Sequence, residues 1–377
     1  MPDPVALGQP TVGEAELAAV ARVFASGWLS GAGPTCGVFE QRFSQVCGVA
    51  HALATSSCGS ALHLALLALG TGPGDEVVVA DYTFPATGHA VLWTGATPVF
   101  ADVRPDLWSV DPQAVEAAVT RRTTGILAVD PFGQPADYDE LRAVADRHGL
   151  FLVEDAACAA GASYRGRPAG SLADIGCFSF HGRKGITAGE GGALTTDDDG
   201  WADAARRLHS YGAAPAPAGR DRLPLPSFAE AGHNYRLSDV QAAIMLAQLD
   251  RLPTLVARRR EVARTYGELL AGLEQVELPR EGPDRVHPWQ SYVLGVHPRL
   301  DRDAVALALR ARGIGCTIGT YASHLQPVYG PQQPLPVSAD LFARHLAVPM
   351  HANLTPEEVT RVADAVREVV ALPDVRA

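Results

Sequence analysis

From His51 onward, short apolar runs rich in β-formers alternate with longer runs of helical periodicity, the pattern of an α/β domain built on a largely parallel sheet. The runs His51 to Ser56, Glu76 to Asp81, Pro98 to Val103, Gly125 to Asp130, Leu150 to Glu154, Cys177 to Phe180 and Gly192 to Thr196 read as strands. Between them, Gly59 to Leu69, Pro85 to Thr94, Pro112 to Val119 and Tyr138 to His148 carry helical spacing. Ser210 to Ala231 is rich in Ala, Pro and Gly without periodicity, which predicts a surface loop folded over a site or a partner. Gln241 to Arg260 is a helical pattern interrupted by Pro253, and the composition shifts beyond it. The chain therefore divides into a large domain, residues 1–253, and a smaller α+β domain, residues 254–377, with a strand at Ser291 to Val296 and helices at Asp303 to Ala311 and Pro356 to Val370. Gly31, Gly33 and Gly37 form a glycine run, but no strand precedes it, so it is not a dinucleotide fingerprint.

Composition narrows the partners. A net charge of -11 and a basic run no longer than Arg258-Arg259-Arg260 argue against nucleic acid or a membrane surface. The first 13 residues have no basic start followed by an apolar stretch, and no run reaches the length of a membrane span, so a cytoplasmic protein is expected. Six cysteines are scattered without CxxC spacing, which predicts reduced thiols and no metal site.

One count changes the picture: of 31 basic residues, Lys184 is the only lysine. Arg replaces Lys on a surface, but not in chemistry that needs a neutral amine, because a guanidinium stays protonated. A lone lysine can also be an ordinary surface residue; its context decides. Cofactor chemistry that uses a lysine Schiff base also needs an anion for a pyridine nitrogen, a ring-stacking side chain and a phosphate cradle. Glu154-Asp155-Ala156-Ala157 closes the apolar strand Phe151-Leu152-Val153, which puts Asp155 at the carboxyl end of a parallel sheet, where such folds bind ligands. Taken alone, Asp155 could equally cap the next segment. Ser57-Cys58-Gly59-Ser60 opens a helix whose N–H groups suit a phosphate, although a simple N-cap reads the same way.

In combination and order, Gly27 to Gly31, Ser57 to His63, Gly72 to Val77, Tyr82-Thr83-Phe84, Gly95 to Phe100, Phe132 to Pro135, Glu154 to Ala157, Phe178 to Gly192 and Asn234-Tyr235-Arg236 resemble the DegT/DnrJ/EryC1/StrS sugar aminotransferases over nearly the whole chain. The resemblance implies the fold type I architecture of pyridoxal-phosphate (PLP) enzymes: a large domain with a mostly parallel seven-stranded sheet, carrying an N-terminal substrate segment, and a smaller C-terminal α+β domain. It implies that Lys184 forms the Schiff base with PLP, that Asp155 pairs with the pyridine nitrogen, that Phe84 stacks on the ring, and that Gly59, Ser60 and Ser179 hold the phosphate. Ala157 and Cys158 complete the cofactor set. Asn234 would reach the phosphate of a neighbouring subunit's cofactor, making a homodimer with shared active sites. Cys158 departs from the family, which usually carries Gln or His there near the cofactor's 3-hydroxyl, and a thiol is a weak hydrogen-bonding group.

The implied reaction is transamination, with the cofactor alternating between PLP and pyridoxamine phosphate: glutamate or glutamine gives its amine, and a nucleotide-linked keto sugar receives it. Phe180 to Thr187 followed by Gly189-Glu190-Gly191-Gly192 is similar to relatives that aminate C4 of a dTDP-4-keto-6-deoxyhexose in deoxysugar or natural-product biosynthesis. A 3-aminotransferase, a cyclitol aminotransferase and an aminobenzoate-type synthase of the same family are the alternatives, and a catalytically silent ligand-binding homologue is the alternative of another class. Trp28, Ser30, Arg183, Tyr321 and His324 are the candidate sugar-nucleotide wall; for His324 the alternative is a satisfied loop histidine.

Overall fold

The computed structural model describes residues 3–214 and 225–376. Seven strands form one sheet: β1 His51–Thr55, β2 Glu76–Ala80, β3 Thr97–Ala101, β4 Thr123–Val129, β5 Phe151–Asp155, β6 Ile175–Ser179 and β7 Gly192–Thr196. Their order across the sheet is β1-β7-β6-β5-β4-β2-β3. β6, β5, β4, β2 and β3 run parallel, and β7 is antiparallel to both of its neighbours. Strands buried on both faces carry no polar alternation, which is why Val77-Val78-Val79 and Phe151-Leu152-Val153 read as continuous apolar runs.

Each face of the sheet has its own core. On one side Leu62, Leu66 and Val91 pack over the sheet. On the other, the helix Pro34–Cys47 drives Phe39 and Phe43 against Phe178 and Phe180, with Phe43 edge-on to Phe178 at 4.9 Å between ring centres. Leu249 and Leu252 of a long helix complete that layer. A third core joins the end of the same helix to a four-stranded sheet of Val276–Glu277, Tyr292–Val296, His345–Val348 and Thr317–Ile318, covered by the helices Arg302–Ala311 and Pro356–Val370.

The structure corrects one helix break expected from sequence. Pro253 does not interrupt the helix, which runs unbroken from Asp239 to Leu269. Proline removes one N–H and crowds the preceding turn, a cost of about 3 kcal/mol. Pro253 lies on the exposed side, while Leu249, Leu252, Leu255 and Val256 around it are buried, and packing of that apolar face outweighs the local penalty. The helices Glu14–Ser26, Asp199–Leu208 and Pro336–Arg344 also escaped the sequence pattern. Of the expected loop Ser210 to Ala231, residues 215–224 lie outside the described residues; its flanks pair as a short ladder, Ala213–Ala214 with Ser227–Phe228. No helix among the described residues is long and apolar enough to cross a membrane.

Candidate active site

The carboxyl ends of the parallel strands open into a cavity of about 190 Å³ whose walls include Phe84, Asp155, Ala157, Cys158, Arg183 and Lys184. Six residues picked from sequence as cofactor or substrate contacts thus meet in one cleft. Asp155 is the last residue of β5, paired in register with Val129 of β4, so the sheet itself delivers its side chain to the rim. The neighbouring Glu154 points to the other face, where its carboxylate accepts the N–H groups of Gly170 at 2.9 Å and Leu172 at 3.2 Å. Strand alternation therefore separates a structural acid from one that faces the cleft.

Asp155 is only 5% exposed. Burial pushes its pKa up, and this is opposed by the Thr87 hydroxyl, which donates to Oδ2 at 2.9 Å, by the Ala157 N–H, which donates to Oδ1 at 3.1 Å, and by the nearby Lys184 and Cys58. A buried carboxylate so arranged is short of positive charge. Thr87 is a residue that sequence reasoning missed; its signal was weak, a threonine in the first turn of the helix Ala86–Trp93 just after Tyr82-Thr83-Phe84.

Lys184 sits in the turn between β6 and β7, and its Nζ donates to Cys158 Sγ at 3.0 Å. Burial draws the amine's pKa down, but Cys158, Cys58 and Asp155 more than offset this, and the balance lies above the ordinary lysine value. The turn is pinned from behind by Arg259, 5% exposed, whose Nη2 donates to the Gly185 carbonyl at 2.6 Å. Gln290 pins it on the near side through a 3.1 Å bond to the Arg183 carbonyl.

Beside Asp155 begins the helix Cys58–Ala68: Cys58 Sγ is 3.9 Å from Asp155 Oδ1. Ser57 caps it, accepting the Ser60 N–H at 3.0 Å, a contact worth about 1 kcal/mol. The Ser60 hydroxyl lies 2.9 Å from that of Ser57 and 3.0 Å from that of Ser56. A Cβ on Gly192 would come within 2.5 Å of the Ser57 carbonyl, so only glycine lets this helix start press onto the sheet. Gly192 pairs with both Thr55 and Ser179, so Ser179 lies on the second strand over from the residues that lead into this helix. Hydroxyls gathered at a helix N-terminus form a cradle suited to a phosphate. The donor set as a whole, a buried carboxylate for a cationic ring nitrogen, an amine and a phosphate cradle, fits pyridoxal phosphate.

The other expected residues sit at the rim of the cleft or outside it. Phe84, 61% exposed, stands at the cleft rim, edge-on to Tyr321 at 6.2 Å. Trp28 and Ser30 are exposed and bonded to each other, Trp28 Nε1 donating to the Ser30 carbonyl at 3.1 Å. They flank Gly31 and Gly33, which press on Leu237 and Asp239 rather than on the cleft, so within one chain they do not wall it. Asn234 is exposed and bridges to Ser210, away from its own chain's cleft.

His324 is corrected: it is 8% exposed, its Nδ1 lies 2.7 Å from Asp81 Oδ2, and its N–H donates to Asp81 Oδ1 at 2.6 Å. The satisfied loop histidine wins because Asp81 has no exposed surface and needs a partner. His324→Ala is expected to lower unfolding stability by about 3 kcal/mol in urea titrations, because it strands a buried carboxylate. Of the expected N-terminal segment, Val5 pairs with Ile314, and Leu7 and Gly8, which no motif singled out, reach the cleft wall.

The sequence signature of the DegT/DnrJ/EryC1/StrS aminotransferase family matches residues 10–367. The spore coat polysaccharide biosynthesis protein SpsC of Bacillus subtilis (strain 168) is 37% identical over 373 residues, covering 96% of each chain. Among solved structures, S. venezuelae DesV in complex with a ketimine intermediate has a TM-score of 0.87 at 39% identity, covering 95% of this chain and 94% of that one. DesI, solved in the presence of its TDP-sugar product, has a TM-score of 0.90 at 37% identity, covering 98% and 94% respectively.

Proposed function

Since the chain belongs to the DegT/DnrJ/EryC1/StrS aminotransferase family and is a pyridoxal-phosphate-dependent sugar aminotransferase, we propose that its acceptor is a nucleotide-linked keto sugar, aminated at C4 of a dTDP-4-keto-6-deoxyhexose. The donor in this reading is glutamate or glutamine. The observation that carries the catalytic part is Lys184 set beside the buried Asp155 at the carboxyl end of the sheet. The nucleotide-sugar part is supported by the relative solved with its TDP-sugar product and by the segment Phe180 to Gly192.

When bound, PLP supplies a carbonyl carbon to which amines attach and a ring that spreads the negative charge left when a C–H proton departs. The chain's own groups do the rest. Lys184 would hold the cofactor through its Nζ and, as a free amine, would serve as the proton carrier at the substrate carbon. Asp155, held by Thr87 and Ala157, keeps a proton on the ring nitrogen. Phe84 would cover the ring face, and Gly59, Ser60 and Ser179 would hold the phosphate.

The test is product analysis: incubation with glutamate and a dTDP-4-keto-6-deoxyhexose is expected to give a 4-amino sugar, located by NMR. An amine at C3 of a 3-keto substrate, with no turnover of the 4-keto sugar, would instead support the 3-aminotransferase reading.

In the same reading the chain has two domains, residues 1–253 and 254–377, and works as a homodimer, with Asn234 reaching the partner's cofactor phosphate; its exposure away from its own cleft supports this. Mixing Asn234→Ala with Lys184→Ala subunits is then expected to restore activity, since each heterodimer regains one intact site. Verified heterodimers without activity would remove the shared-site idea.

A further inference from the structure

All six cysteines lie within the described residues, and only Cys158 is not buried. It lines the cleft, with Sγ 3.0 Å from the one lysine amine of the chain. Two side chains of complementary reactivity thus face each other in a solvent-reached cavity large enough for a molecule the size of water or peroxide. We propose that Cys158 and Lys184 form an oxidant-sensitive covalent site, in which a hydroperoxide oxidises the thiol and a sulfur–nitrogen bond then joins the two side chains, closing Lys184 to the cofactor.

The chemistry balances within the pair and one molecule of hydrogen peroxide. The reacting form is the thiolate beside the Lys184 ammonium, because the thiolate is the nucleophile. The sulfur attacks one peroxide oxygen and the O–O bond breaks. The ammonium of Lys184 gives its proton to the departing hydroxide, which leaves as water. Sulfur is oxidised by two electrons as the peroxide is reduced. A sulfenic acid now stands beside a neutral amine. The nitrogen attacks sulfur, the S–O bond breaks, and the hydroxyl leaves as a second water with one amine proton. Condensation of a sulfenic acid with a nitrogen is the reversible branch of cysteine oxidation, undone by thiols. The competing thiol in this neighbourhood is Cys58, which is buried and whose pKa is pushed well up, first by burial and then by Asp155. It therefore stays protonated and makes a poor partner for a disulfide with Cys158.

The experiment treats the full chain with hydrogen peroxide, with and without PLP, and reads intact mass and peptide maps. The expected result is a loss of about 2 Da, mapped to a link between the peptides holding Cys158 and Lys184 and reversed by dithiothreitol. Lys184→Arg is expected to give no link and to let Cys158 proceed to the sulfinic acid, a gain of about 32 Da; Cys158→Ser should show neither change. A 2 Da loss mapped to Cys58 and Cys158, or wild-type Cys158 carrying only added oxygen beside a free Lys184, would overturn the proposal. PLP is expected to suppress the link. If the link forms equally with PLP bound, the role of Lys184 as the cofactor's lysine fails while the cross-link stands, so the two readings fail separately.

Discussion

Lys184→Ala is expected to abolish transamination and, with it, the visible absorption of the PLP-loaded protein. The amine is asked both to hold the cofactor and to carry the proton, and removing a positioned proton carrier alone costs roughly 10²- to 10⁴-fold in rate. Lys184→Arg should be as inactive, because the guanidinium keeps its proton and forms no carbon–nitrogen bond. That comparison separates chemistry from charge: Arg preserves the cation beside Asp155 and Cys158, so a stable but colourless Arg variant locates the loss in the amine itself. Measured side by side, absorbance and turnover should fall together, while unfolding midpoints stay near the parent value. Normal turnover by either variant contradicts the assignment.

Asp155→Asn is the second large effect, a rate loss on the order of 10²- to 10³-fold. The amide keeps the size of the carboxyl group and can still meet the Thr87 hydroxyl, so the fold is retained, but it carries no charge to hold a proton on the ring nitrogen. The buried carboxyl lies above its ordinary pKa because nothing but Thr87, the Ala157 N–H, Lys184 and Cys58 offsets its burial. A protonated ring nitrogen adds the missing positive charge, so the site gains most from Asp155 when the cofactor is present. Weakened PLP retention should accompany the rate loss, read by equilibrium dialysis. Thr87→Val, which removes the hydroxyl and keeps the shape, should show a smaller version of both effects.

The sheet and the heart of the site were legible because their signals are local. A strand buried on both faces writes itself as a run of apolar residues, and its last acidic residue, here Asp155, marks the rim; the small residues Ser57 to Ser60 mark a helix start, which a plain N-cap would show as well. The single lysine stood out by composition alone. What the sequence hid depends on long-range contact. The hydroxyl that holds Asp155 comes from Thr87, 68 positions away, and the turn bearing Lys184 is braced by Arg259, 74 positions from Gly185. His324 could be read from sequence as a wall residue or as a satisfied loop histidine, because its partner Asp81 lies 243 positions away. Pro253 read as a break because local propensity ignores the apolar face buried on either side of it. Trp28, Ser30 and Asn234 sit in recognisable motifs yet lie outside the cleft of their own chain, and a motif does not say where the fold places it.

The most direct measurement is the visible spectrum of the PLP-loaded wild-type protein before and after addition of glutamate or glutamine. A yellow band that disappears with the donor, returns when a dTDP-4-keto-6-deoxyhexose is added, and is missing from Lys184→Ala is the predicted result. A band that persists in Lys184→Ala, or one in the wild type that no amino donor bleaches, would contradict the account.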